Sequence, residues 1–366
     1  MAAVMTLSSC GGLWDFVFPA ETVDISLNAS PDTEPAAESA MPGMLIQERH
    51  IEMLGEEYAD TKELSPEGYV STEKLLGISR TEAESALKTA GVEYTVEEKR
   101  NPADAGVVYA VEYAGFSDGE IHYINPVQPV RLCVSAEKPV FPEATVQNTV
   151  YITFDDGPTE EGTKEILDIL DCYGIKGTFF QVGNYVEKYP ASAKAVYDRG
   201  HDVACHSMTH QYDHIYASAE NLMAEVDEWV ALMERIGVDF DTVPRLFRYP
   251  GGSSSPYFSE NQLSVMNEML AERGFRVYDW NIVSNDALLF QCPEGVTAYD
   301  YIKNTFRETY EVKKNSSSPK ILLLHETVAE TRVVLPWMIE YLIEEGCTFA
   351  PLSAMSDGWT FASEKQ

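Results

Sequence analysis

The chain has no Cys-x-x-Cys pair, no long apolar run and little positive charge. Its six cysteines, Cys10, Cys133, Cys172, Cys205, Cys292 and Cys347, are scattered. Without paired spacing they form neither a zinc finger nor a redox motif, and nothing argues for a disulfide scaffold. Several lie in apolar runs and read as buried thiols. No stretch of eighteen or more apolar residues occurs, which excludes a membrane-spanning helix. Lysine and arginine number 26 against 59 aspartates and glutamates, a formal net charge of −33. Such a balance repels phosphate and argues against nucleic acid as a partner. It reads as a solvated surface and also suits a cell-surface setting.

At 366 residues the chain is long enough for more than one domain. Residues 1–65 carry twelve acidic residues against two basic ones, and Pro31 to Pro42 is rich in Ala, Ser, Pro and Glu. That composition suits a solvated tether, so residues 13–66 are expected to be an acidic linker. Met44 to Tyr58 reads as a short amphipathic helix. Residues 67–138 read as a small α+β module. A helix starts at Ser79, whose hydroxyl is followed three residues later by Glu82, and it ends at Gly91. Strand-like runs follow at Val92–Glu98, Val107–Glu112 and Val127–Ser135. A Pro-rich boundary, Pro139 to Gln147, separates this module from residues 148–355.

In that last region strand and helix alternate. Strand-like runs are Val150–Phe154, Gly177–Val182, Asp202–Cys205, Leu246–Arg248, Arg276–Trp280, Ile321–His325 and Thr348–Pro351. Helical patterns lie between them at 160–173, 191–199, 217–236, 259–273, 296–311 and 329–345. Alternation of this kind predicts an α/β fold, a distorted (β/α) barrel of about seven parallel strands. In such barrels chemistry gathers at the C-terminal ends of the strands.

The strong polar clusters fall at those ends. Asp155-Asp156 close the first strand and are stopped by Gly157-Pro158. His206 follows the third strand, with His210 four residues on. Arg248-Tyr249-Pro250-Gly251-Gly252 follows the fourth. Trp280 and Asp286 follow the fifth, and His325-Glu326 the sixth. Each alone has a plain structural reading: Asp-Asp-Gly-Pro is a good turn, and histidines four apart often mark a helix face. Five clusters at the ends of five of the strands make coincidence improbable. One carboxylate and two histidines can hold a divalent metal, and the second carboxylate is then left to act as a base.

Residues 148–355 resemble the polysaccharide deacetylases (carbohydrate esterase family four). The segment Thr153-Phe154-Asp155-Asp156-Gly157-Pro158 matches the family's first motif. His206-Ser207-Met208-Thr209-His210 fits the second. The resemblance implies Asp156, His206 and His210 as ligands of a divalent metal, zinc by preference, with cobalt or nickel as alternatives. It implies Asp155 as general base, His325 as general acid, Arg248 as the partner of Asp155, and Asp286 as the group tuning His325. Gly251 would offer a backbone N–H to the oxyanion, with Tyr249 and Trp280 at the substrate. Three positions depart from the pattern. Gly251 stands where an aromatic is usual, Ala287 where a tryptophan is usual, and Glu326 where an aspartate is usual. The first two thin the apolar walls and bear on substrate choice more than on catalysis.

Residues 67–138 resemble a PASTA module through Leu76-Gly77-Ile78-Ser79, Ala90-Gly91 and Gly106-Val107-Val108, which implies contact with cell-wall glycan. Leu7-Ser8-Ser9-Cys10-Gly11-Gly12 resembles a bacterial lipoprotein box, so residues 1–12 are expected to be the remnant of a longer signal. These resemblances imply an extracytoplasmic, lipid-anchored hydrolase. It would remove N-acetyl groups from cell-wall polysaccharide, by preference peptidoglycan N-acetylglucosamine. Chitooligosaccharide and acetyl-xylan are the alternative substrates, and an inactive wall-binding lipoprotein is the rival of another class.

Overall fold

A computed structural model of the protein describes residues 70–113, 123–124 and 129–363. The lipoprotein-like segment, the acidic linker and the Met44–Tyr58 helix lie outside the described residues. The described chain opens with β1 (Val70–Ser71) and α1 (Arg80–Thr89). Ser79 Oγ accepts from the Glu82 N–H and the Glu82 carboxylate accepts from the Ser79 N–H, so the first turn's donors are satisfied as the sequence announced. β2 (Tyr94–Lys99), β3 (Val108–Tyr113), β4 (Tyr123–Ile124) and β5 (Val130–Ser135) follow. β5 is the central strand of three, parallel to β2 and antiparallel to β3, while β4 pairs with β1. Ala83 and Leu87, one helical turn apart, pack with Val108, Leu132 and Val134 into a core separate from that of the barrel.

The larger part alternates as the sequence predicts. Its elements are β6 (Thr149–Gly157), α2 (Glu160–Tyr173), β7 (Thr178–Gln181), α3 (Gly183–Lys188), α4 (Pro190–Asp198), β8 (Asp202–Cys205), α5 (Tyr212–Ile215), α6 (Ala219–Arg235) and β9 (Arg245–Phe247). Then come α7 (Glu260–Glu272), β10 (Phe275–Val277), β11 (Ile282–Val283), α8 (Ala298–Lys313), β12 (Lys320–His325), α9 (Ala329–Glu344) and β13 (Thr348–Phe349). All its strand pairs are parallel, in the order β10-β9-β8-β7-β6-β12-β11, and β13 pairs with the start of β6. The sheet curls into a half-barrel with helices outside.

Alternation along the strands divides two cores. Val150, Ile152 and Phe154 of β6, like Leu322 and Leu324 of β12, face the helices. Tyr151 and Ile321 face the interior, with Phe180, Ala204, Leu246, Tyr278 and Trp359. The same parity carries Asp155 and His325 to the inner face, and the β6–β12 register sets them directly opposite each other. The sequence reading missed β11, α3 and α5, because two to six residues are too few to show a period. Among the described residues no helix is long and apolar enough to cross a membrane, and Cys133, Cys172, Cys205, Cys292 and Cys347 are free thiols.

Candidate active site

Adjacent strand residues normally point to opposite faces, yet Asp155 and Asp156 both reach one site. The backbone explains it. Asp156 sits in the left-handed region at φ 68°, and the pairing of β6 with β7 slips between Asp155 and Gly157. This local bulge re-aims the second carboxylate. Asp155 is 3% exposed, and its Oδ1 accepts from Arg248 Nη1 at 2.7 Å. Nη1 also donates to Thr153 Oγ1 at 2.8 Å. The rest of the Arg248 fork donates to the carbonyls of Tyr278 and Asp279 at 3.1 and 3.0 Å. Its Cζ lies 4.0 Å from the Phe180 ring centroid and 5.5 Å from that of Trp280. Burial works against the guanidinium charge and Asp155 supports it. Delocalisation, five donors and aromatic stacking make arginine the side chain suited to such a place.

Asp156, His206 and His210 converge. Asp156 Oδ1 lies 3.5 Å from His206 Nε2 and 3.3 Å from His210 Nε2, and the three donor atoms fall within 4.8 Å of one another. Donors placed about 2.0–2.1 Å from a tetrahedral ion stand roughly 3.3–3.4 Å apart, so these separations fit a zinc-sized ion. The donor chemistry fits as well. His206 Nδ1 lies 2.9 Å from the Arg248 carbonyl oxygen. A carbonyl only accepts, so Nδ1 carries the proton and the lone pair of Nε2 faces Asp156. Burial works to raise the Asp156 pKa, but the surrounding imidazoles hold it well below the usual carboxylate range.

The histidine loop is tightly built. Ser207 and His210 are also left-handed, at φ 66° and 58°, and Ser207 Oγ accepts from the His210 N–H at 2.9 Å. Glu225 of α6 holds the rest. One of its oxygens accepts from the N–H groups of Met208 and Thr209 at 2.8 and 2.7 Å, and the other accepts from the Thr209 hydroxyl at 2.8 Å. Sequence reasoning passed over Glu225. Its signal was a carboxylate among Leu222, Val226 and Trp229, on the buried stripe of α6.

His325 Nδ1 lies 2.9 Å from Asp286 Oδ1, and its N–H donates to Asp286 Oδ2 at 2.7 Å. The Thr331 hydroxyl donates to the same Oδ2 at 2.7 Å. Burial works to lower the imidazole pKa, but the Asp286 charge and hydrogen bond dominate and push it up to about 9. The adjacent Glu326 faces the other way, as strand neighbours do. It is wholly buried and accepts from the Thr163 hydroxyl and the Thr159 N–H of the α2 start. Burial pushes its pKa up to about 7.

Gly251 and Gly252 form the loop beyond Arg248, both with positive φ, at 75° and 80°. The Gly251 N–H donates to no acceptor among the described residues. Asp279, another residue the sequence did not single out, anchors the loop. It accepts from the Ser253 N–H and hydroxyl and from the Phe361 N–H. Trp280 packs edge-on against Phe361 at 5.3 Å and borders Gly252. Tyr249 departs from expectation. It is fully buried among the helix-side residues, and its hydroxyl donates to Asn267 Oδ1 at 2.9 Å, so it does not reach a substrate. The alternation that points Arg248 inward points Tyr249 outward.

The polysaccharide deacetylase family model matches residues 143–269. The chain is 30% identical over 204 residues to a peptidoglycan-N-acetylglucosamine deacetylase of Bacillus cereus, covering 56% of this chain and 68% of that one. A second Bacillus cereus protein of the same description is 30% identical over 216 residues, covering 57% of this chain and 88% of that one. Among solved structures, the catalytic domain of a peptidoglycan N-acetylglucosamine deacetylase from Eubacterium rectale superposes with a TM-score of 0.50. It is 25% identical, with 61% of this chain and 96% of that one covered.

Proposed function

This chain belongs to the polysaccharide deacetylase family, and from that premise we propose that it hydrolyses N-acetyl groups of cell-wall polysaccharide, with peptidoglycan N-acetylglucosamine as substrate. The observation that carries the reading is one constellation on the inner rim. Asp156, His206 and His210 face one another, Asp155 is clamped by Arg248, and His325 lies in register with Asp155. The names of the Bacillus cereus relatives support the choice of sugar.

Asp156, His206 and His210 would hold a divalent cation, zinc by its donor set of two imidazoles and a carboxylate. When bound, the cation supplies Lewis-acid chemistry, polarising the acetyl carbonyl and acidifying water. Arg248 occupies Asp155 Oδ1 and leaves Oδ2 to accept the proton of the attacking water. The Gly251 N–H donates to the carbonyl oxygen as its negative charge develops. His325, kept cationic by Asp286, gives its proton to the sugar nitrogen as the carbon–nitrogen bond breaks. Acetate and a free amine are released.

We read residues 67–138 as a PASTA-like unit that keeps the enzyme near the wall. The capped helix and three-stranded sheet support this reading. The lipoprotein-like Cys10 segment supports an extracytoplasmic, lipid-anchored setting.

The test is acetate release by zinc-loaded protein from peptidoglycan, chitooligosaccharides and acetyl-xylan. Peptidoglycan should give the highest kcat/KM. Asp155→Asn should keep its zinc and lose about 10²–10⁴-fold in kcat. Absence of acetate from all three substrates would sink the reading and leave a wall-binding protein. A clear preference for another of the three would correct the substrate alone.

A further inference from the structure

The apolar wall that Gly251 does not supply is replaced from a different element. Tyr212, the first residue of α5, lies two positions beyond His210. Its ring meets the His210 imidazole edge-on, with centroids 5.3 Å apart and planes at 85°. Tyr257 stacks on it at 4.8 Å and 30°, which fixes the ring. On the other side it presses on the Gly251 loop. A Cβ at Gly251 would sit 3.1 Å from Tyr212 Cε1 and 3.4 Å from its hydroxyl oxygen. The tyrosine therefore fills the volume into which a side chain at position 251 would grow.

The hydroxyls of Tyr216 and Tyr249, in the same cluster, are structural, and that of Tyr212 is not. Tyr216 donates to the Pro250 carbonyl at 2.8 Å, and Tyr249 donates to Asn267 Oδ1 at 2.9 Å. Both are buried tyrosines with satisfied hydroxyls. Tyr212 is only half-buried, and its hydroxyl has no partner among the described residues. A phenol is protonated at neutral pH and can donate. This donor lies against Gly251, whose N–H is free among the described residues, on a ring that also meets His210.

We propose that Tyr212 is a substrate-contacting residue of this site: its ring walls the acetyl group and its hydroxyl donates to the acetyl carbonyl oxygen together with the Gly251 N–H. Two donors around one oxygen form a preorganised oxyanion site that costs no reorganisation during reaction. The proposal rests on the deacetylase reading of the site and assigns part of its transition-state stabilisation to a side chain outside the Arg248–Gly252 loop. Tyr212→Phe removes the donor and keeps the wall. Tyr212→Ala removes both.

The experiment compares zinc-loaded wild type, Tyr212→Phe, Tyr212→Ala and the exposed control Tyr185→Phe on a chitooligosaccharide and on peptidoglycan. Zinc content and melting temperature are recorded for each. A donor to the developing oxyanion predicts that Tyr212→Phe loses about 10²-fold in kcat with KM little changed. Its zinc content and melting temperature should match wild type. Tyr212→Ala should also raise KM, and binding of a chitooligosaccharide to the Asp155→Asn/Tyr212→Ala double variant, read by calorimetry, should weaken relative to Asp155→Asn. A Tyr212→Phe kcat within about threefold of wild type overturns the proposal, as does a loss confined to KM or one that tracks loss of zinc. A wild type that releases no acetate overturns the deacetylase reading itself, a result distinct from any of these.

Discussion

His325 illustrates how one neighbour sets the working state of a residue. Burial alone would favour a neutral imidazole, which cannot protonate a leaving amine. Asp286 reverses this by meeting Nδ1 at 2.9 Å, and the pKa rises to about 9. A group whose folded pKa is raised is protonated below that value and loses its proton above it. The alkaline limb of kcat/KM in wild type should therefore fall near pH 9. Asp286→Asn removes the strongest opposition to burial, leaving only the charges of Asp156 and Asp155 against it, and should move that limb to lower pH by more than one unit, as read in a pH–rate profile. The stability carried by the pair is full below the unfolded imidazole pKa, about 6.5. It should fade as pH rises through about 9 in wild type and not in Asp286→Asn.

At the scale of an element, β6 ends in a place where no side chain fits at residue 157. A Cβ on Gly157 would overlap the buried Glu326 carboxylate. Gly157→Ala should cost about 1–3 kcal/mol in chemical unfolding, the range of an overpacked core. The cost should shrink in a Glu326→Ala background, because the two sites share one volume. The histidine loop depends on α6 in a similar way. Glu225→Ala frees three donors of the Met208–Thr209 segment and should weaken zinc affinity about 10–100-fold, measured by chelator competition.

Much of this scale was legible in the sequence. Asp155, Asp156, His206, His210, Arg248, Asp286 and His325 are brought together as the strand-end reading requires, because parallel strands deliver their last residues to one rim. The capping box at Ser79 was visible because its two partners lie three residues apart. Glu225 and Asp279 were not visible, because their roles depend on contacts with loops 16 and 26 residues away. Tyr212 was hidden for a related reason. The absence of a side chain at Gly251 could be read, but what fills that volume could not. Tyr249 was misread because proximity to Arg248 in sequence means the opposite face in a strand.

For the whole molecule, the core of the small module and the two cores of the half-barrel lie in one chain, and Arg100 links the two parts. Its Nε donates to Glu340 of α9 at 2.7 Å, and its guanidinium lies 4.9 Å from the Tyr173 ring centroid at the end of α2. Net charge acts at the same scale. The chain carries −33, and deacetylation turns a neutral amide of the glycan into an ammonium. Product polymer should therefore be held more tightly than substrate, by an attraction that salt screens. Inhibition by fully deacetylated chitooligosaccharide should weaken several-fold between low and physiological salt, read as a change in its inhibition constant. A salt-independent constant would show that the overall charge has no part in product retention.

The sheet is an arc, and Arg248 is its chord. From the end of β9 the guanidinium reaches across the hollow to Thr153 and Asp155 of β6, and it also grips the Tyr278 and Asp279 carbonyls just past β10. The group that fixes Asp155 is thus also a brace between β6 and the chain just past β10. Flattening the sheet to admit a bulkier acyl group would slacken the brace and release Asp155 in the same movement. If Tyr212 and Trp280 border the acyl group as proposed, wider acyl specificity would be reached by reshaping them, where a change leaves the brace taut.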